Sequence, residues 1–521
     1  MHWDFYMDHS VLKLNTSNQL PAVIVLIGGS VLTAFLALNR RYFTFGTETD
    51  YLGGFIGEAQ RILDGSSLTM EFHPPLYAAV LATVQSVVSD WFITGLLVSS
   101  AASVVMLVAS YLLFLSLGDS YMAWGALIAS LTSPVYLSYS AFATSDLFFA
   151  AIYTLSFLLV LLASQRASIH LTIVAGVCIG LTVLTRTNGL VALLLLGFPW
   201  LRQLSGRMRT KQFFWLVVPL LVTFLIWVAV AKSTRSPLWP TNTYANLALT
   251  YFSPTHDRIS GDARQIVEQQ FDSVSQVLRQ DPIHIVKTYI KDLIFLPLRI
   301  FMTKPIVSVP ISILALPGTI LLLITIKTRF IWLLLTITVC QLLLTNFKAY
   351  EPRYYLFIIP LLGASAGICL KIILARVGYD LWRYLVLLLV SSALALGFVL
   401  CLRTAQAAVH AQDGELGEIV PNLDRLIKPK GLIVARKPHI GFYAGSQVMT
   451  FPDVASLDEL KDSMLMQAAQ PVYLYYGSIE RRLRPQFQQL LFPEASPAWL
   501  RAIAQSKIVG QWALYRIDLD S

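Results

Sequence analysis

Charge is what this sequence lacks. Only 13% of its 521 residues are Asp, Glu, Lys or Arg, against 56% hydrophobic. Soluble domains carry about 25% charged residues, so a soluble enzyme is excluded and a polytopic membrane protein is expected. Cysteine is scarce too. Cys178, Cys340, Cys369 and Cys401 all lie in apolar runs with no metal-ligand spacing. They read as small core residues, and neither a disulfide framework nor a zinc site is indicated. No large cytosolic nucleotide-sugar domain is present, which argues against a processive polymerase. The first twenty residues lead into an apolar run without a small-residue cleavage site, so a retained helix is expected rather than a signal peptide. The net charge of +9 does not call for nucleic acid. In such a chain basic residues mark cytoplasmic loops and membrane lipids with anionic headgroups.

Long apolar runs are what the sequence has. A spanning helix needs about 20 apolar residues. Runs of that kind cover 21–38, 92–117, 121–140, 144–163, 212–231, 306–326, 330–346, 354–373 and 384–401. The stretch 169–201 is interrupted at Arg186-Thr187-Asn188-Gly189 and reads as two short helices, which makes about eleven crossings. Arg202, Arg207, Arg209 and Lys211 crowd one loop, Lys327 and Arg329 another, and Lys371, Arg376 and Arg383 a third. These belong in the cytoplasm. The N-terminus is then inside, and loops 39–91 and 232–305 and everything after 402 are outside. That parity requires 74–90 to lie on the surface or be half-embedded. The alternative is that 74–90 crosses and 121–140 does not.

Two domains are expected: a transmembrane part over 1–402 and an extracytoplasmic α/β domain over 403–521. Loop 232–305 carries amphipathic runs at Ile266–Leu278 and Ile283–Leu296 that suit interfacial helices. The tail has ordinary charge density. It shows strand-like runs at 431–435, 472–476 and 512–517, with helical stretches around 457–468 and 484–491.

The acids concentrate in loop 39–91, as Glu48, Asp50, Glu58, Asp64 and Glu71, followed by His73-Pro74-Pro75-Leu76-Tyr77. Ionisable groups held close to hydrocarbon point to function. Asp50 could take a proton from an acceptor hydroxyl or amine; a solvated loop acid is the plain alternative. Glu48, two residues earlier, would share its face in an extended segment. Asp146 follows Ala143-Thr144-Ser145 at a helix start, where it could serve chemistry or simply cap. The two prolines after His73 fix a rigid entry into a helix, from which His73 could donate to a phosphate. Arg353, beside Tyr354 and Tyr355, suits a lipid phosphate or ordinary snorkelling. Arg186 sits at the turn between two apolar helices, suited to an anion or to an ion pair within the bundle. Arg299 and Lys304 could extend a basic patch.

Taken in order, these pieces resemble one superfamily. An acid soon after the first helix is followed by Ala59-x-Arg61-Ile62-Leu63-x-Gly65 and then by His73-Pro74-Pro75-Leu76-Tyr77. Ser145-Asp146-Leu147-Phe148-Phe149, Gly180-Leu181-x-x-Leu184-Thr185-Arg186-x-Asn188-Gly189 and Arg353-Tyr354 with Pro360 come after it. The set is similar to the integral-membrane C-class glycosyltransferases, in the group of protein O-mannosyltransferases and the lipid A aminoarabinose transferase. Ala435-Arg436-Lys437-Pro438 looks like the opening of their soluble domain. The resemblance implies the GT-C fold in the plasma (inner) membrane. It implies a sugar donor carried on a polyprenyl phosphate, and a glycan, lipid or protein acceptor. It also implies inversion at the anomeric carbon. Asp50 would match the catalytic base, and Asp146 the second acid, which positions the acceptor or a divalent metal. Arg353 and Arg186 would hold the donor phosphate. Many members have Asp followed directly by Glu; here Tyr51 follows Asp50, which keeps Glu48 in play. A flippase of lipid-linked intermediates and a non-catalytic relative are the competing functions.

Overall fold

The protein is described by a computed structural model covering residues 16–70, 73–117, 119–201, 206–241, 243–252, 267–298, 300, 306–325, 351–410, 413–428, 430–466 and 472–518. Among these, six helices are long and apolar enough to cross a membrane. They are Leu20–Leu38, Trp91–Ser116, Ser145–Arg166, Met208–Ser233, Pro352–Arg376 and Asp380–His410. At 1.5 Å per residue, the 26 residues of Trp91–Ser116 span about 39 Å, more than the roughly 30 Å of a hydrocarbon core. The apolar helices Leu76–Val88, Ser120–Leu131, Ile169–Thr185, Thr187–Phe198 and Val309–Leu322 are shorter.

The helix breaks have local causes. The run 121–140 is not one helix. Ser133 caps a second helix, Pro134–Tyr139, by accepting the Tyr136 amide at 3.0 Å, and Pro134 occupies its first turn. Asp90 and Asp119 cap the helices at Trp91 and Ser120 in the same way. The 74–90 segment is a 13-residue helix, Leu76–Val88. The run expected at 330–346 lies outside the described residues.

The chain divides into two compact units. The first comprises Met1–Asn39, Ala59–Thr241 and Val286–Ala408. The apolar windows of Ser145–Arg166 and Pro352–Arg376 are 72% buried in the protein, that of Asp380–His410 only 11%. The last is apolar all round and left for lipid to cover. Close helix contact in the interior depends on glycine. A Cβ on Gly125 would stand 2.1 Å from the Gly363 carbonyl oxygen, and one on Gly367 would stand 2.0 Å from that of Tyr121. Small residues at such crossings let helix backbones touch.

The second unit comprises Arg40–Glu58, Asn242–Ile285 and Val409–Ser521. Its centre is a five-stranded sheet of β1 (Ile433–Ala435), β2 (Val448–Thr450), β3 (Tyr473–Tyr476), β4 (Leu500–Gln505) and β5 (Ala513–Ile517), in the order β2-β1-β3-β5-β4. β1 runs parallel to β2 and β3; β5 runs antiparallel to β3 and β4. The helix His439–Ala444 leads from β1 toward β2, and Leu457–Leu465 links β2 toward β3. Phe45, from the acidic loop near the start of the chain, is part of the same core as Ile433, Tyr473 and Trp512.

Candidate active site

Within the first unit, four residues singled out from sequence come together. Asp146 occupies the first turn of helix Ser145–Arg166, whose N-cap is Thr144. Its side chain is 4% exposed and reaches Arg186, whose Nη1 donates to Asp146 Oδ1 at 2.5 Å and to Ser145 Oγ at 3.1 Å. Arg186 can do this because the chain is extended there, between the end of helix Ile169–Thr185 and the 3₁₀ helix Thr187–Leu201. Gly189 makes the turn tight: a Cβ on it would lie 2.1 Å from the Thr182 carbonyl oxygen.

Arg353 approaches the same carboxylate from another element, the 3₁₀ helix Pro352–Ile358. Its Nη1 lies 3.8 Å from Asp146 Oδ2. Tyr354 serves both cations. The guanidinium carbons of Arg186 and Arg353 lie 5.3 and 5.0 Å from its ring centroid, within cation–π range. Phe357 anchors this segment against the helix of Asp146 through Phe149 and Tyr153, at 6.2 and 5.7 Å between ring centroids. Two guanidiniums thus face one carboxylate in a setting where the arginine side chains are only 15% and 16% exposed.

His73 is half-buried just before Pro74 and Pro75. The following Tyr77 is fully buried, 5.5 Å by ring centroids from Phe148, two residues past Asp146. An apolar cavity of about 370 Å³ opens beside Phe148, lined also by Val80, Val84, Leu97, Val105 and Ile152. Arg299, Lys304 and Glu71 lie outside the described residues.

Glu48, Asp50 and Glu58 of the first loop belong to the second unit. Glu48 is fully buried. Arg40 grips it through Nη1 at 2.7 Å and Nη2 at 2.5 Å, and the Thr44 amide and hydroxyl add bonds of 2.8 and 3.2 Å. Asp50 is exposed, with helical backbone at the start of the π-helix Tyr51–Phe55. The segment is a turn leading into a helix, not an extended strand, and so Glu48 and Asp50 do not share a face. The Asp50 carboxylate acts electrostatically on Lys437. Burial, and then the neighbouring Arg436, bring the Lys437 ammonium down to about 8, with Asp50 pulling the other way. His439 is buried, which drops its ring to about 3 and keeps it neutral. Its Nε2 donates to the Thr44 carbonyl at 3.0 Å.

Solved structures of similar shape decide the fold. ArnT from Cupriavidus metallidurans in the apo state matches with a TM-score of 0.60 at 14% identity, covering 96% of this chain and 98% of that one. The same protein bound to undecaprenyl phosphate matches at 0.58 and 14%, covering 95% and 98%. The archaeal oligosaccharyltransferase AglB from Archaeoglobus fulgidus, in complex with an inhibitory peptide and a dolichol-phosphate, matches at 0.57 and 10%, covering 93% and 73%. The chain has the GT-C fold. The resemblance read from the ordered motifs agrees with it, and the chain is a membrane protein. No protein-family model and no curated protein matches the sequence.

In this GT-C chain the surroundings of Asp146 do not suit a divalent metal. The ion would have to share the carboxylate with a guanidinium already bonded to it at 2.5 Å and a second at 3.8 Å, and like charges that close repel strongly. Among the described residues, no three His, Cys, Asp or Glu side chains cluster as ligands. Sequence reasoning missed Arg40 and Lys437 as neighbours of the acids. Arg40 had a signal: it is a charge at the mouth of the first apolar run, eight residues before Glu48.

Proposed function

We propose that this chain is a glycosyltransferase that moves a sugar from a polyprenyl-phosphate-linked donor to an acceptor on the outer face of the plasma (inner) membrane. The observation that carries the proposal is the pair of arginines stacked on Tyr354 around Asp146. Two guanidiniums converge on one carboxylate here, and arginine's planar fork suits a phosphate. The apolar cavity beside Phe148 fits an isoprenoid chain. Solved GT-C neighbours bound to undecaprenyl phosphate and to a dolichol-phosphate add support.

In the proposed reaction Asp50 accepts the proton of the acceptor's nucleophile. The sugar–phosphate bond breaks from the opposite side, inverting the anomeric carbon. Arg186 and Arg353 stabilise the charge that develops on the departing phosphate, and His73 is a further donor to it. Asp146 orients the two guanidiniums. Glu48, whose carboxylate is occupied by Arg40 and Thr44, holds the loop rather than taking a proton. The cytoplasmic N-terminus and extracytoplasmic tail follow from the basic loops.

The test is reconstitution of the full chain in lipid nanodiscs with a panel of undecaprenyl-phosphate-linked hexoses and pentoses. A cell-envelope extract supplies acceptors, and mass spectrometry follows both products. One donor is expected to release undecaprenyl phosphate and label the extract. Asp50→Asn should slow transfer by about 10²–10⁴-fold, the usual share of a general base. Lipid movement across a vesicle without sugar transfer would point to a flippase instead.

A further inference from the structure

The segment bearing Asp50 is held upstream of the acid, and approached downstream of it, by one short stretch of the sheet domain. Upstream of the acid, His439 Nε2 donates to the Thr44 carbonyl at 3.0 Å, and the Phe43 amide donates to Tyr443 Oη at 2.8 Å. Rings reinforce these bonds: Phe43 against Phe442 at 5.6 Å and Phe45 against His439 at 4.8 Å between centroids. Downstream of the acid, a Cβ on Gly53 would touch Pro438 Cγ at 3.6 Å. The clamp is itself fixed. The Arg436 amide donates to the buried Glu480 at 2.8 Å, and His439 is fully buried. Between the upstream bonds and Gly53 lies Asp50, and between Arg436 and Pro438 lies Lys437, on whose charge the Asp50 carboxylate acts.

We propose that Lys437 is a positioning residue for Asp50, with the 436–443 stretch as the clamp that presents the ammonium to the carboxylate. The clamp fixes the backbone before the acid and lies close to the chain at Gly53 after it. The ammonium limits the rotamers of the carboxylate, so that it meets the acceptor's proton in one geometry. A purely structural lysine would not need its charge next to the one exposed acid of this segment's helical turn. This inference rests on Asp50 being the base of the proposed transfer.

The experiment compares Lys437→Met, Lys437→Arg, Tyr443→Phe and Asp50→Asn in full-length protein, using whichever undecaprenyl-phosphate sugar supports transfer. Lys437→Met should lower kcat about 10- to 100-fold with donor KM changed less than about twofold, as a displaced reacting group does. Lys437→Arg should restore most of the loss. Tyr443→Phe deletes one clamp bond, keeps the ring, and should lower kcat about threefold to tenfold. It remains informative should Lys437→Met fail to fold. Wild-type kcat in either Lys437→Met or Tyr443→Phe, or failure of arginine to rescue, overturns the inference while Asp50→Asn stays inactive. An active Asp50→Asn variant removes the base itself, and the inference with it.

Discussion

Neutralising Asp146 separates a carboxylate that organises the arginines from one that merely accompanies them. Asp146→Asn keeps the shape and one acceptor oxygen, removes the charge and turns the other oxygen into an amide donor. The bond lost in strength is the 2.5 Å contact with Arg186, between side chains 4% and 15% exposed, so solvent screens it little. A charge-assisted hydrogen bond contributes about 1.5–3 kcal/mol, which converts to about 10- to 150-fold. Arg353, at 3.8 Å, lies beyond hydrogen-bond reach and adds less. The expected result is a fall of about 10- to 150-fold in kcat/KM for the lipid-linked donor. In a double-mutant cycle Asp146→Asn with Arg186→Met should couple more strongly than Asp146→Asn with Arg353→Met. The assay is donor consumption by the full chain in nanodiscs, with melting curves recorded for every variant. Unchanged kcat/KM in a folded Asp146→Asn protein, or cycles additive to within about 0.5 kcal/mol, would refute the reasoning.

Arg40→Met leaves the buried Glu48 without its cation and should destabilise the second unit by about 3–5 kcal/mol. A lowered melting temperature, partly restored by adding Glu48→Leu, checks this. Gly125→Val forces a side chain against the Gly363 backbone and should cost at least about 1–3 kcal/mol. Gly28→Ala meets nothing within 4 Å and should leave the melting temperature level or raise it. Lys437, with its ionisation lowered to about 8, is charged below that pH and neutral above it. Arg436 and Arg482 favour loss of its proton, Asp50 and Glu480 oppose it. Transfer should therefore decline as pH rises from about 7 to about 9, and Lys437→Arg, which keeps its charge, should move that decline upward.

The cluster around Asp146 was legible in the sequence because charge is so rare there. An Asp at a helix start and arginines interrupting apolar runs stand out, and each has few partners to choose from. The first loop was less legible for the opposite reason. It offers several acids and nothing local says which one is buried; Arg40 selects Glu48 through a bend that an extended reading of residues 48–50 excludes. In the tail, β1, β3 and β5 were visible because their side chains are mostly buried. The edge strands β2 and β4 were missed, since exposed edges carry mixed residues without a strong apolar signal. The helical stretch expected at 484–491 is a 3₁₀ helix, Pro485–Leu491. The break at Ser133-Pro134 was masked by the hydrophobicity around it.

Thr44 and His439 stand 395 residues apart in the chain. At a synthesis rate of about 5–20 residues per second, the ribosome finishes the second roughly 20–80 s after the first. For all that time the first loop has been delivered without its seat, with Phe45 bare and no imidazole to meet the Thr44 carbonyl. Nascent chains halted before the sheet domain therefore cannot complete the pocket that steadies this loop. That phenylalanine therefore stays without its sheet-domain neighbours for roughly 20–80 s on every copy made.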